Sequence, residues 1–431
     1  MNISADIPAI VRVLIVFVLV LAAIRKKISL GNSLFFGAVI LGWLFGLGFK
    51  SMAFSIYHSV THPKTLALTV MVCLILVFSH SMETAGQMQR LLERYQGLIT
   101  RPRINMVVFP ALIGLLPMPG GAIFSAPMVK ALGQKLDLTG PQLSFINYWF
   151  RHIWEYWWPL YPGVLLTTTL ADLNLWGFVA FLFPLTCVAL SVGYWPLKTL
   201  NGGIDGSHSR HFGNRPSLWP FVKELFPILI VIALGLTTGA LLTAFLEPYQ
   251  LAVTKELGLI FSLLVAIGWV WHRNRLSWVQ RRQILVQKQL LNMFYMVIAI
   301  LVFKGMLEDS RAVQMISREL LDWRIPLMPI SMILPFIVGG VVGITIAFVG
   351  TTFPILISLI QTLGESQHML AYMMLALVSG FVGVLLSPLH LCLLLSNEYF
   401  GTALTPVYRY LWVPCSVLLI TACLYFFLLH G

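Results

Sequence analysis

The chain has 431 residues, of which 58% are hydrophobic and only 10% are charged. Because soluble domains carry roughly 25% charged residues, this composition excludes an ordinary soluble protein and predicts an all-α polytopic membrane protein. The formal charge of +12 does not indicate nucleic-acid binding, since the basic residues are scattered between apolar segments instead of forming one surface. The five cysteines lie in apolar segments without paired spacing, which argues against a disulfide framework or a zinc site.

Apolar segments of sufficient length predict membrane-spanning helices. We predict about ten transmembrane helices, near residues 6–24, 31–49, 66–85, 142–170, 174–195, 220–246, 251–271, 289–306, 369–396 and 405–428. Two further apolar stretches, 104–133 and 325–360, contain so many helix-breaking residues that a straight span is not expected. We predict that each forms a re-entrant helical hairpin, which enters and leaves the membrane on the same side.

The basic residues predict how the chain is oriented. The first apolar segment is followed by Arg25, Lys26 and Lys27 and is not preceded by a basic cluster. This order favours a retained first span with an outside N-terminus over a cleaved signal peptide. With that orientation, most of the 28 lysine and arginine residues fall in inner segments. We therefore expect a bacterial or archaeal cytoplasmic (inner) membrane protein with both termini outside and its basic loops and central linker in the cytoplasm.

The sequence repeats internally. The segment ILVFSHSMETAGQMQ at 75–89 aligns with ILVFKGMLEDSRAVQ at 300–314, and the same spacing, here called the first offset, places Gly114 on Gly339. A slightly longer spacing, the second offset, aligns the Pro-Leu dipeptide of YWWPLYP at 159–160 with that of LLSPLHL at 388–389. With these offsets the first hairpin aligns with the second in sequence, and the two proline-containing spans align with each other.

The repeat predicts two halves joined by a linker. We place the first half at 1–197, a polar cytoplasmic linker at 198–219 and the second half at 220–431. Each half contains three spans, a hairpin, a span broken at proline and a last span. Because the number of crossings per half is odd, the second half starts on the opposite side and has inverted topology. Inverted repeats with broken segments at the membrane midplane are typical of secondary transporters.

The first hairpin contains LLPMPGGAIFSAPMV at 115–129, where prolines remove backbone donors and adjacent glycines disfavour helix. Irregular backbone at membrane depth is tolerated only where it is buried in protein or lines a wet cavity. A half-helix that starts near Ala122 would direct the positive end of its dipole at an occupant of that cavity. The candidate solute-binding residues here are Pro119, Gly120, Gly121 and Ser125.

The matching tip of the second hairpin is GITIAFVGTTF at 343–353, which supplies hydroxyl groups and glycines. Two helix starts that point at one cavity favour an anionic solute, whereas unwound carbonyls and hydroxyls suit sodium. The candidate solute-binding residues are Thr345, Thr351 and Thr352, and the candidate sodium position lies near Gly120, Ser125, Gly350 and Thr351. The alternative is that the glycines only allow close helix packing.

The broken spans carry ionisable residues. In NYWFRHIWEYWWPLYPG at 147–163 they are Arg151, His152 and Glu155, and such residues at membrane depth are functional candidates by default. Arg151 and Glu155 are four residues apart and are predicted to pair on one helix face. The alternative is an interfacial aromatic belt, with the charges at headgroup level, formed by Trp149, Trp154, Trp157 and Trp158.

The second broken span, LLSPLHLCLLLSNEYFG at 385–401, offers Ser387 and His390 at its bend. His390 is either a solute contact or a histidine whose hydrogen bonds are satisfied inside the fold. No phosphate-binding GxxxxGK[ST] motif is present, and the single His152-to-Glu155 spacing is a weak metalloprotease signal. We therefore predict that the protein is not an enzyme.

LLPMPGGAIFSAPMV and NYWFRHIWEYWWPLYPG resemble segments of domain-of-unknown-function family 401, within the ion transporter superfamily of citrate, dicarboxylate and gluconate carriers and some sodium/proton antiporters. The resemblance covers essentially the whole chain. It implies a scaffold of early spans, a moving transport domain of hairpins and broken helices, an elevator motion and a homodimer formed through the scaffold. Dicarboxylate carriers have a Ser-Asn-Thr triplet at each hairpin tip, where this chain has PGGAIFS and VGTTF.

These patterns together predict a secondary active transporter that moves a small organic anion together with sodium or protons. The rival prediction is a cation/proton antiporter without an organic substrate, in which Glu155 and His152 carry the exchanged ion. The expected partners are the anionic solute, the lipid bilayer and a second copy of the chain, and nucleic acid is not expected. No cofactor is predicted other than sodium as one candidate for the coupling ion.

Overall fold

The computed structural model describes residues 7–99, 101–118, 120–198, 217–246 and 254–430. These residues form helices joined by turns and contain no β-strand. Eight of their helical segments are long and apolar enough to cross a membrane. The predicted class, an all-α polytopic membrane protein, is therefore confirmed. Pro119 and nearly all of the predicted linker lie outside the described residues.

The helices of the first half are α1 (Ala9–Arg25), α2 (Leu30–Leu44), α3 (Phe49–Thr61), α4 (Pro63–Thr84), α5 (Gln87–Tyr95), α6 (Pro102–Gly114), α7 (Ala122–Gly133), α8 (Gly140–His152), α9 (Pro162–Leu170) and α10 (Leu175–Lys198). Those of the second half are α11 (Leu218–Leu246), α12 (Thr254–Arg273), α13 (Trp278–Leu285), α14 (Lys288–Asp309), α15 (Ala312–Asp322), α16 (Leu327–Val342), α17 (Thr345–Thr362), α18 (Met369–Leu385), α19 (Leu391–Phe400) and α20 (Leu404–His430). Short 3-10 helices follow α7 and precede α18, at Gln134–Leu136 and Ser366–His368.

Helix boundaries follow the sequence repeat. The first offset relates the starts of α4, α5 and α6 to those of α14, α15 and α16. From α8 onward the second offset applies, and it relates the starts of α8, α9 and α10 to those of α18, α19 and α20. Contacts between the halves follow the repeat as well. Helix α4 packs on α12, and its counterpart α14 packs on α2. Likewise α7 packs on α19, and its counterpart α17 packs on α9. The direction of each half in a membrane stays a prediction.

The predicted span at 31–49 is wrong at its C-terminal end. Helix α2 ends at Leu44, and Gly46 has a φ of +77°, the left-handed conformation that commonly ends a helix. The amide of Leu47 then bonds to the carbonyl of Gly42 at 2.9 Å, which closes the last turn. The chain continues into α3, a separate helix that the run of apolar residues did not indicate.

Both predicted hairpins are pairs of packed helices joined by short turns. Helix α6 packs against α7, which starts at Ala122 as predicted, and α16 packs against α17. In the second pair Gly343 has a φ of +71°, and its missing side chain allows this left-handed turn. The turn itself comprises only Gly343 and Ile344, since helix resumes at Thr345. Entry and exit on one side of the membrane stay a prediction.

Two repeat-related glycines let each hairpin approach its broken span. A Cβ added to Gly114 in α6 would meet the backbone carbonyl of Arg151 in α8, and one added to Gly339 in α16 would meet that of Gly380 in α18. Gly114 corresponds to Gly339 at the first offset, and Arg151 corresponds to Gly380 at the second. The same helix-to-helix contact is therefore made in both halves.

We expect Gly339→Ala to destabilise the protein by about 1–3 kcal/mol, the usual cost of forcing extra atoms into a packed contact. Its neighbour Gly340 is the matched control, because a Cβ there would lie 3.7 Å from the carbonyl of Gly383, an ordinary contact. Alanine favours helix by about 1 kcal/mol over glycine, so Gly340→Ala should keep or raise Tm. Thermal unfolding in detergent compares the two variants, and equal Tm values would contradict the close-contact explanation.

Candidate functional site

The two spans with predicted breaks are interrupted where they approach the hairpins. Helix α8 ends at His152 and helix resumes at Pro162, while α18 ends at Leu385 and α19 starts at Leu391. Helix α19 packs on α8 and α7, and α9 packs on α17. Residues from both breaks and both hairpin turns therefore meet in one region.

Ionisable side chains in this region are buried. Arg151 is 4% exposed, His152 1% and His390 6%, and the side chain of Glu155 is 12% exposed. Charged groups removed from water are stable only when they are paired or hydrogen-bonded. Their partners therefore define the site.

Arg151 binds the turn of the first hairpin. Its Nη2 donates a hydrogen bond to the backbone carbonyl of Met118, and its Nη1 lies 3.3 Å from Nε2 of His152. Its Nε has no hydrogen-bond partner among the described residues. The guanidinium also lies against Gly121, where an added Cβ would be 2.6 Å from Nη2. The predicted Gly121 and Arg151 are thus brought together.

Repeat-related residues hold the first helix of each hairpin. Tyr161, which precedes α9, donates its hydroxyl to the carbonyl of Gly114 at 2.7 Å. His390, which precedes α19, has Nδ1 2.9 Å from the carbonyl of Gly343. Tyr161 corresponds to His390 at the second offset. The residue before each post-break helix therefore anchors the C-terminal end of α6 or α16.

His152 and His390 come from different halves and face each other. Their Nε2 atoms are 3.0 Å apart, and Nδ1 of His152 lies 2.6 Å from the backbone carbonyl of Tyr148. The aromatic ring of Tyr148 packs against both imidazoles, with centroid distances of 4.6 and 5.4 Å. The predicted His152 and His390 are therefore in direct contact, at the junction of α8 and α19.

Glu155 contacts the second hairpin instead of the predicted arginine. Its Oε1 accepts a hydrogen bond from the hydroxyl of Thr345 at the start of α17, and its Oε2 lies 3.8 Å from Nε2 of His152. No ion pair within 4.0 Å joins Arg151 and Glu155 in the described part of the chain. The predicted i,i+4 pair is wrong because α8 ends at His152, so helical spacing does not extend to Glu155.

Ser125 takes part in a buried polar network that joins α7, α8 and α19. Its hydroxyl donates to Oδ1 of Asn147 at 2.6 Å, and Nδ2 of Asn147 donates to the carbonyl of Ala122 at 2.9 Å and to Oγ of Ser396 at 3.0 Å. Ser144 donates to Oδ1 of Asn397 at 2.5 Å in the same region. These bonds attach the start of α7 to spans of both halves.

The remaining threonines of the second hairpin lie away from its turn. Thr351 and Thr352 are two turns along α17, and their hydroxyls donate to the helix's own carbonyls at Ala347 and Phe348, at 2.8 and 2.7 Å. Gly350 packs on Ile300 of α14, where an added Cβ would be 2.6 Å from the side chain. Their predicted position at the tip is wrong because helix resumes at Thr345, immediately after the two-residue turn.

Two further predicted residues shape the turns. Gly120 has a φ of +74°, which its missing side chain allows. The hydroxyl of Ser387 accepts the amide of Leu389 at 3.3 Å, and it would lie 2.9 Å from a Cβ added to Gly343. Both residues therefore belong to the chain reversals of the site.

The alternative prediction of an interfacial tryptophan belt is wrong for two of its four tryptophans, Trp149 and Trp157. Trp149 and Trp157 are 2% and 7% exposed, so they face protein instead of lipid headgroups. The indole of Trp149 donates to the carbonyl of Ala189 at 3.0 Å, and that of Trp154 donates to the carbonyl of Ala111 at 2.7 Å. The aromatic residues pack the broken span onto its neighbours.

Cys392 lies beside the histidine pair, at the start of α19. Its Sγ and one ring nitrogen each of His152 and His390 lie within 4.8 Å of one another. Such atoms are able to coordinate soft metals, but the guanidinium of Arg151 lies 3.3 Å from the same Nε2 of His152 and opposes a bound cation. We assign no metal ligands here.

Several residues of the site were not predicted from the sequence: Met118, Asn147, Tyr148, Tyr161 and Cys392. Asn147 offered the one available signal, a polar amide in an apolar span, because such a group needs a buried partner. The carbonyl of Met118 and the tyrosine hydroxyl contacts depend on tertiary packing that no local pattern encodes.

The described contacts of this site lie within residues 111–397. The family model described as protein of unknown function (DUF401) matches residues 9–429. The chain belongs to the DUF401 family. No curated protein sequence matches it. Both broken spans and both hairpins fall inside the matched region. The candidate site is therefore part of the region that defines this DUF401 protein.

Proposed function

We propose that this protein is a secondary active transporter of a small organic anion, coupled to sodium or protons, and that it belongs to the ion transporter superfamily. The observation that carries the proposal is the guanidinium of Arg151, buried where a hairpin turn meets a broken span. Ionisable groups within membrane segments are rare and typically mark solute or ion pathways. A guanidinium binds carboxylate or phosphate through parallel hydrogen bonds.

The free Nε of Arg151 supports an anion at this position. Nη2 is used by the carbonyl of Met118 and Nη1 faces His152, whereas Nε has no partner among the described residues. A buried donor without an acceptor is unfavourable by about 1–3 kcal/mol. A carboxylate that reached Nε would satisfy this donor.

The duplicated architecture supports alternating access. Helix starts repeat at the two offsets, and contacts between halves recur in exchanged pairs. Inverted repeats place broken segments of both halves around one midplane site, and rocking of the repeats exposes that site to each side in turn. We propose that this duplication is an inverted repeat of that kind.

The packing supports an elevator motion. Helices α2–α4 pack on α12–α14, and α11 packs on α12, whereas the hairpins and broken spans, α6–α9 and α16–α19, pack chiefly with one another. The first group corresponds to a scaffold, which would also form the homodimer, and the second to a moving transport domain. Because Arg151, His152 and His390 are buried, the described conformation is occluded and the solute enters after the transport domain moves.

A ligand screen tests the proposed function. We expect one class of small carboxylate to raise the Tm of the purified protein, since a ligand present at a hundredfold excess over its Kd stabilises the folded state by about 2.7 kcal/mol. Uptake of ¹⁴C-labelled succinate, citrate and gluconate into proteoliposomes then checks transport directly. Absence of both binding and uptake for every carboxylate tested would contradict the proposal.

The antiporter is the second candidate function, and one contact favours it. Glu155 and His152 lie 3.8 Å apart in a buried region, so they could exchange a cation for a proton without an organic solute. Proteoliposomes with a trapped pH dye separate the candidates. A sodium-driven change of internal pH in the absence of any solute would favour the antiporter.

A further inference from the structure

The hydrogen bonds of the histidine pair determine where its protons lie. Nδ1 of His152 faces the carbonyl of Tyr148 at 2.6 Å, and Nδ1 of His390 faces the carbonyl of Gly343 at 2.9 Å. A carbonyl oxygen can only accept, so each Nδ1 must carry a hydrogen. In a neutral imidazole the other nitrogen, Nε2, is then an acceptor without a hydrogen.

Two neutral rings are therefore incompatible with the observed contact. The two Nε2 atoms are 3.0 Å apart, and at this distance two lone pairs repel each other. A change of tautomer in either ring only moves the conflict, because an Nδ1 lone pair would then face a carbonyl oxygen. A single extra proton resolves it, since 3.0 Å lies within the usual donor–acceptor range of roughly 2.7–3.2 Å.

We propose that His152 and His390 bind the coupling proton between their Nε2 atoms, so that the carrier is a proton–anion symporter. This inference rests on the proposed transport function and deepens it. Nη1 of Arg151 already donates toward Nε2 of His152. The extra hydrogen is therefore covalently attached to His390 and donates to His152.

The charges that face the pair couple the proton to the anion. Arg151 lies 3.3 Å and Glu155 3.8 Å from Nε2 of His152. The side chains of Tyr148 and Cys392 also face the pair, and Thr345 contacts it through Glu155. Arginine and glutamate balance each other, so the bound proton adds one positive charge without a partner. This charge weakens binding of the proton when no anion is present. An anion at Arg151 removes it, and each ligand therefore strengthens binding of the other.

The shared proton also joins the two halves of the protein. His152 ends α8 in the first half, and His390 precedes α19 in the second. With the proton present, the contact between the rings is a charge-assisted hydrogen bond. Without the proton, the two lone pairs repel and the contact between α8 and α19 weakens. Proton release is thereby linked to a change in packing at the solute site.

A metal ion is the competing occupant of the same lone pairs. Two Zn–N bonds of about 2.0–2.1 Å at a tetrahedral angle would hold the nitrogens roughly 3.3 Å apart, further than the observed 3.0 Å. The neighbouring guanidinium of Arg151 repels a cation as well. Both observations favour the proton.

Nitrogen NMR of the full-length protein in lipid bilayers tests the pair without any solute. With ¹⁵N-histidine labelling we expect a ¹⁵N–¹⁵N coupling across the Nε2–Nε2 hydrogen bond. It should be lost in both His152→Gln and His390→Gln and kept in His58→Gln, which alters an exposed histidine of α3. Two uncoupled, unprotonated Nε2 signals at every pH would overturn the proposal. Zinc that is stoichiometric with the chain and lost in Cys392→Ala would also overturn it.

Transport measurements test the coupling. With ¹⁴C-succinate, ¹⁴C-citrate and ¹⁴C-gluconate as probes, we expect an inward proton gradient to drive at least tenfold accumulation of the transported solute without sodium. In His390→Gln, the proton gradient should no longer drive accumulation above equilibration, and in His58→Gln accumulation should be unchanged. Accumulation that requires sodium and is indifferent to pH would overturn proton coupling and leave the transport function standing. Absence of uptake for every probe would contradict the transport function itself, whatever the NMR result.

Discussion

Arg151→Gln is expected to lower the affinity for the transported anion by about 30-fold or more, because truncating one partner of a buried charged contact commonly costs about 2–5 kcal/mol. Glutamine is shorter than arginine and carries no charge. Arg151→Lys keeps the charge and loses the planar fork of donors, so we expect an intermediate loss. Titration of binding by isothermal calorimetry and initial rates of uptake measure both effects.

Arg12→Gln is the matched control for this experiment. Arg12 in α1 is 5% exposed and donates to the backbone carbonyls of Ile7 and Leu44. It is therefore a buried arginine with a similar loss of hydrogen bonds on substitution, outside the candidate site. We expect Arg12→Gln to lower Tm and to leave affinity unchanged. Equal losses of affinity in Arg12→Gln and Arg151→Gln would mean that Arg151 stabilises the fold and does not bind the anion.

Gly121→Ala is expected to weaken the anion affinity by about tenfold to a hundredfold, equivalent to about 1.4–2.7 kcal/mol. The added Cβ would lie 2.6 Å from Nη2 and 3.0 Å from Nε of Arg151, so the guanidinium has to move away from the hairpin turn. The free Nε is then displaced together with the guanidinium, away from its place beside the hairpin turn. Uptake kinetics should show a raised KM with a smaller change in the maximal rate.

A double-mutant cycle decides whether Gly121 acts through Arg151. In an Arg151→Gln background the shorter side chain leaves room for the Cβ, so Gly121→Ala should have little further effect on affinity. If the two losses were additive in free energy, the glycine would act independently of the guanidinium. Tm of all four proteins controls for unfolding, since Gly121 precedes α7 directly.

The membrane class and the positions of the breaks could be predicted from the sequence. Long apolar segments require helices in a bilayer because backbone groups have no other partners there. The start of α7 at Ala122 followed from the proline and glycine residues before it, and the repeat was legible in the matched letters of α4 and α14. These features are local, or they depend on similarity within the chain.

Pairing within the site could not be predicted in the same way. The expected Arg151–Glu155 pair assumed continuous helix, whereas α8 ends at His152 and the partners became Met118 and Thr345. The contact between His152 and His390 joins residues that lie far apart in the sequence, in different halves. Sequence periodicity describes one helix at a time, so it carries no information about which side chains meet across a tertiary junction.

The repeat-related Gly114–Arg151 and Gly339–Gly380 contacts place different side chains at the same helix-to-helix junction. Where the first half has the guanidinium of Arg151, the second has Gly380, and the ring of Phe348 fills the space that a side chain there would need. The single guanidinium offers one anchoring point for negative charge, so the proposed carrier is expected to bind one anionic group per cycle.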